Sequence, residues 1–194
     1  FCGVHFMAES AALLARPGQQ VFLPAPDASC VMSEMTPAAL LEKVFGRIQS
    51  AGKKIVPLAY VNTSLAVKAV VGAHGGAVCT SANADRMMRW AFDNGDVVFF
   101  LPDKNLGVNT ADQLGLPESA RAMLDIRHNG ERATLPDGVR LLLWPGCCAV
   151  HACFRPELAE AVRQKDAQAK IFVHPECAPS MVRAADGAGS TSYL

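Results

Sequence analysis

The 194-residue chain has no excess of either charge: Lys and Arg together number 18, and so do Asp and Glu. That balance removes the electrostatic reason to expect nucleic acid or an anionic membrane surface as partner, and it favours a small-molecule ligand. The chain also lacks any uninterrupted apolar run of the roughly 18 residues that a spanning helix needs. Its N-terminus lacks the charged-then-apolar order of a signal peptide, so a cytoplasmic protein is expected. Nor is there an even set of cysteines to pair. The seven are Cys2, Cys30, Cys79, Cys147, Cys148, Cys153 and Cys177, in a chain too large to need disulfide staples. Metal-binding or catalytic thiols are the better use. What the chain does have is 51% hydrophobic residues, enough to bury a core as one large domain or two small ones.

Apolar runs of strand length alternate with helical patterns, which predicts α/β architecture with parallel sheets covered by helices. Strands are expected near residues 21–24, 54–60, 77–80, 96–101, 140–144 and 170–174. Thr36-Pro37 should open one helix, with Thr at the cap, and Arg155-Pro156-Glu157 another. The segment 116–139, with its charges, His128-Asn129-Gly130 and Pro136-Asp137-Gly138, reads as a solvated surface excursion. The opening Phe1-Cys2-Gly3 resembles a strand tail, and Ser190–Leu194 stands where a helix should begin, so a fragment is expected.

An internal repeat is more informative than any single element. After Cys30 come Pro37, a helix, the strand at Lys54-Ile55-Val56, Tyr60-Val61-Asn62, another helix and Thr80-Ser81. After Cys148 come Pro156, a helix, Lys170-Ile171-Phe172, His174-Pro175-Glu176, another helix and Ser190-Thr191. The units expected are 1–31 as the end of a first α/β unit, 32–148 as a second, and 149–194 as the start of a third. Each unit ends in a cysteine. The repeat therefore predicts a further helix, strand and third cysteine beyond Leu194.

In parallel α/β layers, ligands bind beyond the carboxyl ends of strands, where the next helix presents free N–H groups. Tyr60, Asn62, His174 and Glu176 fall there, and Ser81, Ser190 and Thr191 fall at corresponding edges. Hydroxyls beside helix N-termini suit a carboxylate or phosphate oxygen, although Ser81 and Ser190 taken singly are as well explained as helix caps. Cys30 and Cys148 hold equivalent places in the two copies. Thiolates gathered on one axis suit iron–sulfur chemistry or zinc, whereas the same cysteines without the repeat would read as small buried residues. Cys2 and Cys79 fall in strand patterns and read as core, and Cys153 and Cys177 as bystanders. His151 follows Cys148 closely enough to share its cavity. His174 and Glu176 could face one ligand, the carboxylate tuned for proton transfer. His74 reads as a turn residue.

Seven strings in this order resemble quinolinate synthases. They are Phe1-Cys2-Gly3-Val4-His5-Phe6-Met7-Ala8-Glu9, Tyr60-Val61-Asn62-Thr63-Ser64, Thr80-Ser81-Ala82-Asn83-Ala84, Leu101-Pro102-Asp103-Lys104-Asn105-Leu106-Gly107, Trp144-Pro145-Gly146-Cys147-Cys148-Ala149-Val150-His151, His174-Pro175-Glu176-Cys177 and Gly189-Ser190-Thr191-Ser192. The resemblance implies three α/β layers about a pseudo-threefold axis, with a [4Fe–4S] cluster held by one cysteine from each. Cys30 and Cys148 match two of these ligands; the third would lie beyond Leu194, so the chain alone is expected to be inactive. It also implies condensation of iminoaspartate with dihydroxyacetone phosphate to quinolinate, a precursor of NAD. An aspartate oxidase or dehydrogenase would supply the iminoaspartate. By the same resemblance, Tyr60 and Asn62 would contact substrate carboxylates, and Ser81, Ser190 and Thr191 carboxylate or phosphate. His151, His174 and Glu176 would orient intermediates and move protons, Glu176 as the leading acid–base group. Segments 72–76 and 116–139 look longer than the family's usual connections, and the N-terminal part of its first layer is absent.

Two other readings stay open: a zinc or iron hydrolase built on His151, His174, Glu176 and the cysteines, and an inactive α/β scaffold. Geometry separates them. The enzyme reading requires Cys30 and Cys148 on the same side as Tyr60, Ser81, His174 and Glu176.

Overall fold

The computed structural model describes residues 2–194, so Phe1 of the expected strand tail lies outside them. Helix α1 (His5–Leu13) and the short α2 (Val31–Glu34) precede α3 (Ala38–Gln49). An alternation follows: β1 (Ile55–Tyr60), α4 (Leu65–Ala73), β2 (Ala77–Cys79), α5 (Ala84–Asn94), β3 (Val97–Leu101) and α6 (Lys104–Gln113). Then come β4 (Arg121–Met123), the helical turn α7 (Arg127–Gly130), β5 (Leu141–Leu143), α8 (Pro156–Lys165), β6 (Phe172–Val173), α9 (Pro179–Ala184) and β7 (Gly187–Ala188).

Five strands form one parallel sheet in the order β2-β1-β3-β5-β4. The central strands are buried along their whole length, as parallel strands covered on both faces must be. Alternation along each strand sorts the side chains into two cores. Ile55, Ala59, Val97, Phe99, Leu101 and Leu142 pack with α3 and α4, where Leu41, Val44, Phe45 and Ile48 recur at helical spacing. Val56, Leu58, Tyr60, Val98, Phe100, Leu141 and Leu143 face the other way, onto Met88 and Ala91 of α5 and Leu106 and Ala111 of α6.

A second parallel pair, β6-β7, carries the repeat: α8-β6-α9-β7 follows the same order as α3-β1-α4-β2, and both strand pairs are parallel neighbours. Asp186 ties this smaller unit together by accepting from Ile171 N–H at 2.9 Å and from Arg163 Nη2 at 2.8 Å. The Ile171 amide, then the Arg163 guanidinium, hold its carboxyl down at about 2. Because that value lies below the roughly 3.9 of an unfolded aspartate, the stability it lends is present above about pH 4 and lost as the pH falls toward 2. Asp186→Asn should flatten the acid loss of amide protection in β6 and β7 across that window. An acid profile identical to wild type would contradict this.

Several expectations are corrected. Residues 21–24 form a loop rather than a strand: they lie among Pro17, Pro24 and Pro26 and join no sheet among the described residues. Cys2 is exposed and precedes α1, while Cys79 is core as expected. Pro37, not Thr36, is the cap of α3. Segment 116–139 is not a solvated excursion throughout. It supplies the edge strand β4 and sends Leu124, Ala133 and Val139 into the core on the α3–α4 face. Its His128-Asn129-Gly130 turn is real, with all three residues at positive φ. His74 ends α4 and lies over the Phe45 ring. No helix among the described residues is long and apolar enough to cross a membrane.

Candidate active site at the carboxyl edge of the sheet

Tyr60 ends β1, and the turn His174-Pro175-Glu176-Cys177 follows β6, so equivalent strands of the two repeats deliver their polar residues to one place. The Glu176 carboxylate is the centre. Its Oε1 accepts from Tyr60 Oη at 2.6 Å, and its Oε2 lies 2.9 Å from His151 Nδ1. The second pair is close but not aligned as a hydrogen bond, so His151 Nδ1 stands beside the carboxylate with no hydrogen-bond partner among the described residues. Cys148 completes the cluster: one donor atom from each of Cys148, His151 and Glu176 lie within 4.8 Å of one another. The His151 and His174 rings stack with centroids 5.0 Å apart.

His174 Nδ1 lies 3.8 Å from Glu176 Oε1, a spacing that would suit an imidazolium, yet the same nitrogen accepts the Glu176 backbone N–H at 3.3 Å. Burial also lowers its pKa, against the pull of the Glu176 carboxylate. A ring whose Nδ1 accepts and whose cation is disfavoured is neutral, with its proton on Nε2. Tyr60 is pushed well above the ordinary phenol range, by burial first and by Glu176 second, while a hydrogen bond with Ser81 opposes the shift. It therefore stays protonated and donates. Burial, joined by the Glu176 carboxylate, also pushes the Cys148 thiol up.

Neighbouring loops fix these positions. Leu101-Pro102 leads β3 into Asp103, whose Oδ1 caps α6 by accepting from the Asn105 and Leu106 N–H groups at 2.7 and 3.0 Å. Gly146 lies against this turn. A Cβ there would stand 2.6 Å from the Pro102 carbonyl oxygen, so only glycine lets the Cys147-Cys148 loop approach. Trp144 Nε1 donates to Met35 O at 2.9 Å and ties the chain just after α2 to the end of β5. Cys30, at the N-cap of α2, and Cys148 are both half-buried and pack against the same cluster as Tyr60. The donor chemistry of Cys148, His151 and Glu176 fits a metal site, and Cys30 is not one of that close group. The scaffold reading required these polar residues to stay apart.

Ser81 and Ser190 line one cleft of about 640 Å³ with Asn109, Pro175, Arg183 and Tyr193. Asn62 is half-buried two residues past Tyr60, and Thr191 is exposed; neither joins the hydrogen bonds around Glu176. Cys153 is exposed and Cys177 buried, both outside the cluster. Sequence reasoning gave no role to Asp103, Asn105 or Asn109. Asp103 is fully buried, and burial pushes its carboxyl up to about 7, with Glu176 adding to the rise. A polar residue straight after a buried strand, followed by asparagines four apart on one helix face, was the available signal.

Comparison with known proteins places this geometry. The family described as quinolinate synthetase A protein matches residues 1–194. A quinolinate synthase of Bacillus velezensis is 42% identical over 195 residues, covering 100% of this chain and 53% of that protein. Those of Geobacillus kaustophilus and Herpetosiphon aurantiacus are 44% and 43% identical, with 53% and 54% of their lengths covered. The chain spans about half the length of the curated relatives it matches. On that match over its whole length, the chain belongs to the quinolinate synthetase A family.

Proposed function

We propose that the full-length protein is a quinolinate synthase, condensing iminoaspartate with dihydroxyacetone phosphate to quinolinate, with release of phosphate and water, on the route to NAD. The observation that carries this reading is the convergence of Tyr60, His151, His174, Glu176 and Cys148 at one sheet edge in a member of this family. The protein would act in the cytoplasm, fed with iminoaspartate by an aspartate oxidase or dehydrogenase.

The neutral His174 presents an N–H donor that suits a carboxylate of a dianionic substrate, and Tyr60, whose single O–H goes to Glu176 in this structure, would turn it to a carboxylate when substrate binds. Asn62 would add an amide donor. Ser81, with Ser190 and Thr191, would take a carboxylate or the phosphate from the cleft side. Glu176, buried between a phenol and an imidazole, would take a proton from the methylene carbon of iminoaspartate as that carbon bonds to the carbon of dihydroxyacetone phosphate that releases phosphate. It would return protons in the dehydrations, with His151 beside the second carboxylate oxygen. A [4Fe–4S] cluster would be held by Cys30 and Cys148 with a third thiolate from outside this chain. When bound, it would supply an open iron as Lewis acid for dehydration.

The cysteine assignment has its own test. After anaerobic reconstitution of the full-length protein with iron and sulfide, Cys148→Ala should lose most of the iron–sulfur absorbance, whereas Cys147→Ala should keep it. Equal loss in both variants would overturn the choice of ligand. A tightly bound metal with no sulfide would favour the hydrolase reading, for which the close grouping of Cys148, His151 and Glu176 is the supporting observation.

A further inference from the structure

Glu176 has no regular element to hold it: β6 stops at Val173, and the next helix begins at Pro179. A buried turn of this kind leaves backbone carbonyls that need donors. Helix α6 supplies them. Asn109 Nδ2 donates to Pro175 O at 2.8 Å and to Cys177 O at 2.9 Å, and Asn105 Nδ2 donates to Glu176 O at 3.2 Å. Three consecutive carbonyls are thereby tied to two amides one helical turn apart, both buried. All three partners are acceptors, so each amide must present its NH₂, and both hydrogens of Asn109 are used. The helix itself is anchored by the buried Asp103 cap.

We propose that Asn105 and Asn109 are positioning residues that set the Glu176 carboxylate between Tyr60 and His151 by clamping its backbone to α6. They act on Glu176 through its main chain, so their loss should displace the acid–base group without removing any proposed contact to substrate. This rests on the proposed quinolinate synthase reading for its catalytic consequence, but not for its geometry.

Two readouts in the reconstituted full-length protein separate the two claims. The first is steady-state quinolinate formation. Asn105→Leu and Asn109→Leu are each expected to lower kcat by about tenfold and together by about a hundredfold, the cost of a misplaced catalytic group, with KM changed by less than about threefold. The second needs no turnover: a carbon-13 label at tyrosine Cζ, assigned with Tyr60→Phe, should move toward the position it takes in Glu176→Leu. Should a leucine variant fail to fold, Asn105→Ser and Asn109→Ser are read the same way. An unmoved Tyr60 signal with wild-type kcat, only stability being reduced, would overturn the clamp. An inactive wild type whose Tyr60 signal still moves in the variants would overturn the function and leave the clamp standing.

Discussion

Replacing Glu176 by glutamine in the full-length protein is expected to lower quinolinate formation by about 100- to 10,000-fold, the range for loss of a general acid–base group. Glutamine has the same shape, and its amide oxygen can still accept the Tyr60 hydroxyl, so binding geometry is largely kept and the loss should fall on kcat. Stability should move the other way or not at all. Glu176 is 3% exposed, and the Asp103 carboxyl is pushed up to about 7 partly by its charge, so two carboxylates already share a buried region. Removing one of the charges relieves desolvation and repulsion together. Thermal melts should show a midpoint at or above that of wild type. Activity within threefold of wild type would remove Glu176 from the chemistry, and a collapsed melting midpoint would make it a structural residue.

The largest loss of stability is expected from Phe99→Ala. Phe99 is fully buried, its ring centroid 6.3 Å from Phe45 and 6.2 Å from Trp144, at the middle of the core between the sheet and α3. Truncating a buried phenylalanine costs about 3–5 kcal/mol, transfer and cavity terms together. Against a total stability of about 5–15 kcal/mol, that is a large fraction. At an m-value near 2 kcal/mol/M, the urea midpoint should fall by roughly 2 M. Phe154→Ala, at a ring 46% exposed, should shift it by a small part of that. Equal shifts would contradict the assignment of the core. The consequence for function is direct, since β3 leads through Leu101-Pro102 to Asp103 and thence to α6 and its asparagine clamp.

The central sheet was legible because its strands are continuous apolar runs, a pattern that only two covered faces explain. The run at 21–24 looked the same locally; a strand exists only through its neighbours, and the sequence shows none. β4 and β7 were missed for the opposite reason. Arg121-Ala122-Met123 and Gly187-Ala188 have too few residues and too little apolar character to signal a strand, and neighbouring β5 and β6 make them one. The charges in segment 116–139 hid Leu124, Ala133 and Val139, whose irregular spacing matches neither helix nor strand.

At the site, strand-end residues could be read because a parallel sheet has one functional edge and the repeat identifies matching positions on it. Tyr60 and Glu176 are 116 residues apart and meet through a hydrogen bond. What the sequence could not show was support. Asn105 and Asn109 act on carbonyl oxygens, which every residue carries, so nothing in the 174–177 turn marks it as their partner.

The most direct test of the account is quinolinate formation by the full-length protein, reconstituted anaerobically with iron and sulfide and supplied with iminoaspartate and dihydroxyacetone phosphate. The account predicts steady turnover that requires both substrates and disappears in Cys148→Ala. A well-folded, cluster-loaded protein that forms no quinolinate from them would contradict it.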